Sequence, residues 1–158
     1  MAAKDRVLAR ERARGRADAL DLAGRAPDLD GTAIIAEEDH IPAWSETAVY
    51  TADMIGWPVQ DDGQVYTILQ AHTPANNPGV RPAELPAIYS RQNTSDPARA
   101  KPWMAPSGTS GVYVLGNCAV DYGHVWRSTF DGSNVWRPSE YPDGWEDLGT
   151  VEEVQAHE

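Results

Sequence analysis

A chain of 158 residues with six Trp, six Tyr and twelve Pro, but one Phe and one Cys, and a formal net charge of −11 excludes several classes. A lone cysteine permits no intrachain disulfide and no Cys-based metal site, no run of about 18 apolar residues exists to span a bilayer, and an acidic body lacks the clustered Lys and Arg that nucleic acid or anionic lipid requires. The charge is divided, with residues 1–25 at net +3 and the remaining residues at net −14, which points to different partners for the two parts.

Residues 3–23 are rich in Ala, Leu, Arg and Glu and contain no Pro, so propensity predicts a helix. Val7, Leu8, Leu20 and Leu22 are its only large apolar positions, too few for a core-forming face. Residues 1–25 are therefore expected to form an α-helical arm, either solvated and frayed or one that anchors or oligomerises the chain on a partner. Met1 to Gly24 lacks the apolar core of a secretion signal, and Met1 is expected to mark a start, so export by the general route is not expected. Residues 26–43 form a connector in which turn formers (Pro27, Asp28, Asp30, Gly31) precede Thr32–Ala36, read as a short strand that adds to a module sheet or to a neighbouring subunit.

Two β units follow. Asp62-Gly63 before Val65-Tyr66, and Tyr122-Gly123 before Val125-Trp126, predict tight hairpins in which Gly supplies a positive φ. Val65 with Ile68, and Val125 with Trp126, are expected to form small cores. Residues 91–102, with Asn93, Ser95, Asp96, Pro97 and Pro102, read as a polar linker. Residues 150–158 form an acidic tail, either disordered or a short helix. Cys118 is expected to be a small buried hydrophobe.

The units are copies of each other. Residues 44–90 contain Trp44, Ala48-Val49-Tyr50-Thr51-Ala52, Asp62-Gly63-Gln64-Val65-Tyr66, Leu69-Gln70-Ala71-His72-Thr73, Pro82 and Tyr89. Residues 103–149 contain Trp103, Gly111-Val112-Tyr113, Tyr122-Gly123-His124-Val125-Trp126, Asn134-Val135-Trp136-Arg137-Pro138 and Trp145. Repetition at this period makes each copy one structural unit. The fold class is thus mainly β, two small β modules in tandem preceded by an N-terminal α-helical arm.

These landmarks resemble the carbohydrate-binding modules of family 5/12, chitin-binding type, with an opening Trp, a Tyr, a Gly-x-x-Tyr hairpin, a Trp-x-Pro and a closing Trp. Such modules are similar to ones on bacteriophage virion proteins and secreted chitinases. The resemblance implies that the Trp of Trp-x-Pro, here Trp136, stacks on the sugar, with the closing Trp145 as a further carbohydrate-binding candidate; Tyr141, outside the family pattern, is a third because it lies close enough in sequence to Trp136 to extend the platform. The matching position in copy one is Val80, which has no ring. Trp145 and its counterpart Tyr89, with Trp44, Trp103, Tyr50, Tyr113, Tyr66 and Trp126, are also the largest side chains available to the core of a module without disulfides.

His40, His72, His124 and His157 have no metal-ligand spacing, and His72 reads as a hydrogen-bonded structural residue. Asp61-Asp62 and Glu37-Glu38-Asp39 lie in a turn and a connector, where solvation is the default, and do not resemble the two carboxylates of a glycosidase cleft. No catalytic residue, metal or cofactor is assigned.

The functional expectation is a non-enzymatic bacteriophage virion surface protein, a head fibre, decoration or tail component, made in the host cytoplasm and displayed on the virion surface. Its expected partners are a polysaccharide or cell-surface glycan, capsid or tail proteins, and further copies of itself, a trimer being one such form. Two alternatives stand beside it. One is a structural virion assembly protein whose modules have lost sugar binding, and the other is an accessory chitin-binding protein of a secreted chitinase system.

Overall fold

Both hairpins turn through two consecutive residues of positive φ, Asp62 (50°) with Gly63 (76°) and Tyr122 (47°) with Gly123 (76°). That pair of values defines the mirror-image turn whose twist matches the strands it joins. The computed structural model describes residues 16–156, and its chain is mainly β. The first hairpin joins β1 (Pro58–Asp61) to β2 (Gln64–Ile68), and β3 (Tyr89–Gln92) pairs antiparallel with β2. In the second sheet β4 (Lys101–Pro102) runs parallel to β5 (Cys118–Asp121), which is followed antiparallel by β6 (His124–Ser128) and β7 (Trp145–Thr150).

The copies share their wiring as well as their hairpins. The Trp44 amide donates to the Gln60 carbonyl at 2.8 Å, and the Trp103 amide donates to that of Val120 at 2.7 Å. The Ser45 amide donates to the Tyr50 hydroxyl and the Met104 amide to the Tyr113 hydroxyl, each at 3.2 Å. Tyr50 bridges His72, and Tyr113 bridges Asn134. At the closing strand Ile68 faces Tyr89 and Ser128 faces Trp145.

Alternation along the strands gives each sheet two covered faces. Tyr66, Ile68 and Val59 face Tyr50 and Tyr89, as Trp126 and Ala119 face Tyr113 and Trp145. The opposite face of the first sheet presents Val65 to Leu22, Ala26, Ile34, Ile35 and Ile41. That of the second presents Val125, with Cys118, to Ala100, Leu148, Val151 and Val154. Val65 and Ile68 therefore serve different cores, because their spacing is odd, and so do Val125 and Trp126. Cys118 is free and buried, and burial pushes its thiol up from the ordinary value.

Flanking helices cover the second face of each sheet. Helix α1 is observed over 16–25, and the rest of the predicted arm helix, 3–15, lies outside the described residues. Thr32–Ala36 is not a strand. Helix α2 spans Gly31–Ile35, with the Asp30 carboxylate accepting from the Ala33 amide at 2.8 Å, a side-chain cap that the β-branched run obscures in the sequence. The tail forms α3 (Val151–Gln155), capped by the Thr150 hydroxyl. Its last residues, 157 and 158, lie outside the described residues.

The predicted linker is tied down. Arg91 in β3 is only 6% exposed, and its Nη2 donates to the carbonyls of Met104 at 2.7 Å and Gly111 at 3.0 Å. Gln64 Nε2 donates to the Pro102 carbonyl at 2.7 Å, Asn93 Nδ2 to that of Gly111 at 2.9 Å, and the Cys118 amide to that of Thr94 at 2.7 Å. These bonds join the modules through their polar groups, so the seam needs no apolar interface of its own.

Candidate functional site

The loop after β6 is held by an arginine that both modules repeat. Arg137 Nη2 donates to Asp121 Oδ1 at 2.6 Å, and its guanidinium lies 5.2 Å from the centre of the Trp103 ring. In module one Arg81 Nε donates to Asp61 Oδ2 at 3.0 Å, and its guanidinium lies 5.2 Å from the Trp44 ring. Pro138 and Pro82, the next residues, are both fully buried. This anchoring makes Trp136 and Val80 equivalent in space, as their places before the prolines predict.

Asp121 is nearly buried, and the Ser139 amide also donates to it at 3.1 Å. Burial alone would raise its carboxyl, but Arg137 and Ser139 outweigh that and hold it below the ordinary carboxylate range. Buried Asn134 fixes the other end of the loop. Its Nδ2 donates to the Ser128 hydroxyl at 3.1 Å and the Gly144 carbonyl at 3.0 Å.

Between these anchors Trp136 is 45% exposed. Its ring centre lies 5.2 Å from Tyr141 and 5.7 Å from Phe130, and the Phe130 and Tyr141 rings meet edge-on at 6.5 Å. Tyr141 is half-buried and packs over Gly144, where a Cβ would come within 2.6 Å of Tyr Cε2. Three rings thus hold one another in place and leave the indole open to solvent. Phe130 was not among the residues singled out by sequence, although it is the only Phe in the chain.

Trp145 does not belong to this surface. It is 5% exposed, packs edge-on against Tyr113 at 5.4 Å, and donates from Nε1 to the Trp136 carbonyl at 3.0 Å. Its place opposite Ser128 in β7 aims the ring into the module core. From there its hydrogen bond holds the loop at Trp136.

Among the described residues the two exposed Trp and Tyr rings, Trp136 and the hairpin residue Tyr122, both lie in module two. With half-buried Tyr141 they correspond to Val80, Asp62 and Leu85 in module one. Module one instead closes a part-buried hydrogen-bond network of its own. The Trp44 indole N–H donates to the Tyr89 hydroxyl at 2.8 Å, and that hydroxyl bonds to Nε2 of His72. Burial pushes the Tyr89 hydroxyl up to about 12. His72 Nδ1 lies 2.8 Å from the Gln70 carbonyl and the ring stacks on Tyr50 at 5.1 Å, which gives this histidine a structural role.

Of the five carboxylates set aside in the sequence, Asp39 and Asp62 are exposed as expected, and the other three are engaged in ion pairs. Asp61 pairs with Arg81, Glu37 with Arg25 at 2.8 Å, and Glu38 with Arg99 at 3.2 Å and with Lys101. Among the described residues no group of three or more His, Cys, Asp or Glu side chains could hold a metal ion, and no helix is long and apolar enough to cross a membrane. No family model matches the chain, and no curated protein matches it.

Proposed function

We propose that this chain is a non-enzymatic glycan-adhesion protein of a bacteriophage virion surface, in which module two contacts a polysaccharide through Trp136 and Tyr141. The observation that carries the reading is the difference between the copies. Both modules fold with a matching buried tyrosine (Tyr50, Tyr113), a matching buried proline (Pro82, Pro138) and a matching Asp–Arg pair, so the rings unique to module two are not required by the fold. A sugar face of C–H groups bordered by hydroxyls is matched by a fixed, exposed indole, which the Phe130–Tyr141–Trp136 cluster provides. The virion setting rests on the family resemblance. Repetition in an oligomer or on a shell would convert weak single contacts into avidity.

The test is binding of the full chain to insoluble chitin and to a glycan array, with Trp136→Ala beside it. Retention that disappears in a folded Trp136→Ala variant is expected, and no retention of the native chain on any glycan sinks the reading. Module one favours a second role. With Val80, Leu85 and Asp62 in place of rings, and its polar seam to module two, it serves assembly.

A further inference from the structure

Tyr122 is the most exposed of the large hydrophobic side chains among the described residues, at 78%, and it stands where a side chain is unfavourable. Its φ of 47° lies in the left-handed region that Asn, Asp and Gly adopt at this turn position and that aromatic residues adopt rarely. Module one carries the ordinary residue there, Asp62 at φ 50°. Tyr122 gains little burial in exchange for the strain, and strain without a packing return directs attention to function.

The ring is not loose. The Arg137 guanidinium lies 5.1 Å from the Tyr122 ring centre and 5.2 Å from that of Trp103, and Asp121 holds it from the side. Trp103, Arg137 and Tyr122 therefore make a stack whose outermost member keeps a face open to solvent. Fixing an exposed ring before a ligand arrives removes the ordering cost from the binding step. Trp136 directly precedes Arg137, so the same short loop carries the indole and pins the tyrosine.

We propose that Tyr122 is a second sugar-stacking residue of module two, so that its ligand is a chain of several sugar units spanning Tyr122 and Trp136 instead of one terminal sugar. This rests on the glycan-adhesion reading above. A neutral β-linked chain is the occupant that fits, since successive units offer repeated C–H faces to separate rings, and the acidic body disfavours an acidic one.

Calorimetric titration of the full chain with chitobiose and chitohexaose tests the proposal. Tyr122→Asp installs the module-one residue, which suits the turn, and is expected to keep the melting temperature of the native chain. It should weaken chitohexaose about three- to tenfold and leave chitobiose within about twofold, while Tyr122→Phe retains both and Trp136→Ala weakens both. Unchanged chitohexaose binding in Tyr122→Asp, beside a clear loss in Trp136→Ala, overturns the role of Tyr122 alone. No binding of either sugar by the native chain overturns the role and the glycan reading together. A change in sedimentation of Tyr122→Asp with sugar binding intact assigns the ring to a protein contact and likewise overturns it.

Discussion

Trp145 and Trp136 lie nine residues apart in one module, and the structure gives them opposite responses to truncation. Burying a Trp removes about 150–250 Å² from water, so at about 25 cal/mol per Å² the nearly complete burial of Trp145 contributes about 4–6 kcal/mol. A compact unfolded chain reduces this by about 10–40%, to about 2–6 kcal/mol, a range that brackets the usual cost of about 3–5 kcal/mol for Trp→Ala in a core. Trp145→Ala also removes the hydrogen bond to the Trp136 carbonyl and so frees the loop. Trp136→Ala gives up the contacts of a half-exposed ring with Phe130 and Tyr141, about 1–3 kcal/mol by the same area reckoning and about half the loss at Trp145. Urea denaturation followed by far-ultraviolet circular dichroism measures both. Equal losses, or a loss below about 1 kcal/mol for Trp145→Ala, would show that the two rings are misassigned between core and surface.

Asp121 makes stability depend on pH. Because its folded carboxyl titrates below the unfolded value of about 3.9, its contribution is complete above about pH 4 and is lost as the pH falls through the folded value. The melting temperature of Asp121→Asn should therefore fall less steeply with acid than that of the native chain, and parallel slopes would contradict the ion-pair account. Gly111 has φ 75°, and a Cβ there would lie 2.3 Å from Arg91 Nη2. Gly111→Ala is expected to cost about 2–4 kcal/mol in the same denaturation assay, and a neutral result would mean that the Arg91 clamp is looser than drawn. In a Trp136→Ala background, Val80→Trp with Leu85→Tyr should return part of the chitin retention, since the Arg81 and Arg137 anchors match. A folded variant with no recovery would show that the matched loops do not carry the same surface.

The hairpins were legible because the turn makes a demand on particular residues, and Asp62-Gly63 and Tyr122-Gly123 stand where it falls. The equivalence of Val80 with Trp136 was legible because a proline two residues on pins each register, and both prolines proved buried. What misled was burial that depends on the third dimension. The run Thr32–Ala36 is β-branched enough to suggest a strand, but Ile34 and Ile35 are buried against α1 and Val65, and Asp30 caps the turn of helix that puts them there. Trp145 and Trp136 look alike in one dimension, and only the pairing of β7 with β6 separates the core ring from the open one. Phe130 carries no motif at all, and its use as a wall behind Trp136 emerges only when the loop closes.

A module of this size with no disulfide is expected to be marginal, because it buries a small share of its surface. The chain meets that limit by covering each sheet twice, with aromatic rings on one face and helices from the two ends of the chain on the other. Helices α1 and α2 serve the first sheet, α3 serves the second, and Arg91 with Asn93 ties the two units at their polar seam. The loop over residues 129–144 is then held at Asn134, Arg137 and Pro138, with Asn134 and Pro138 buried and Trp136 left open. Its exposed rings can change, as Val80 and Leu85 show in the sister copy, while the pairing and the buried landmarks stay the same. The open ring thus lies on the loop and the buried one on the strand that follows it, which is why Trp136 and Trp145 should separate so cleanly.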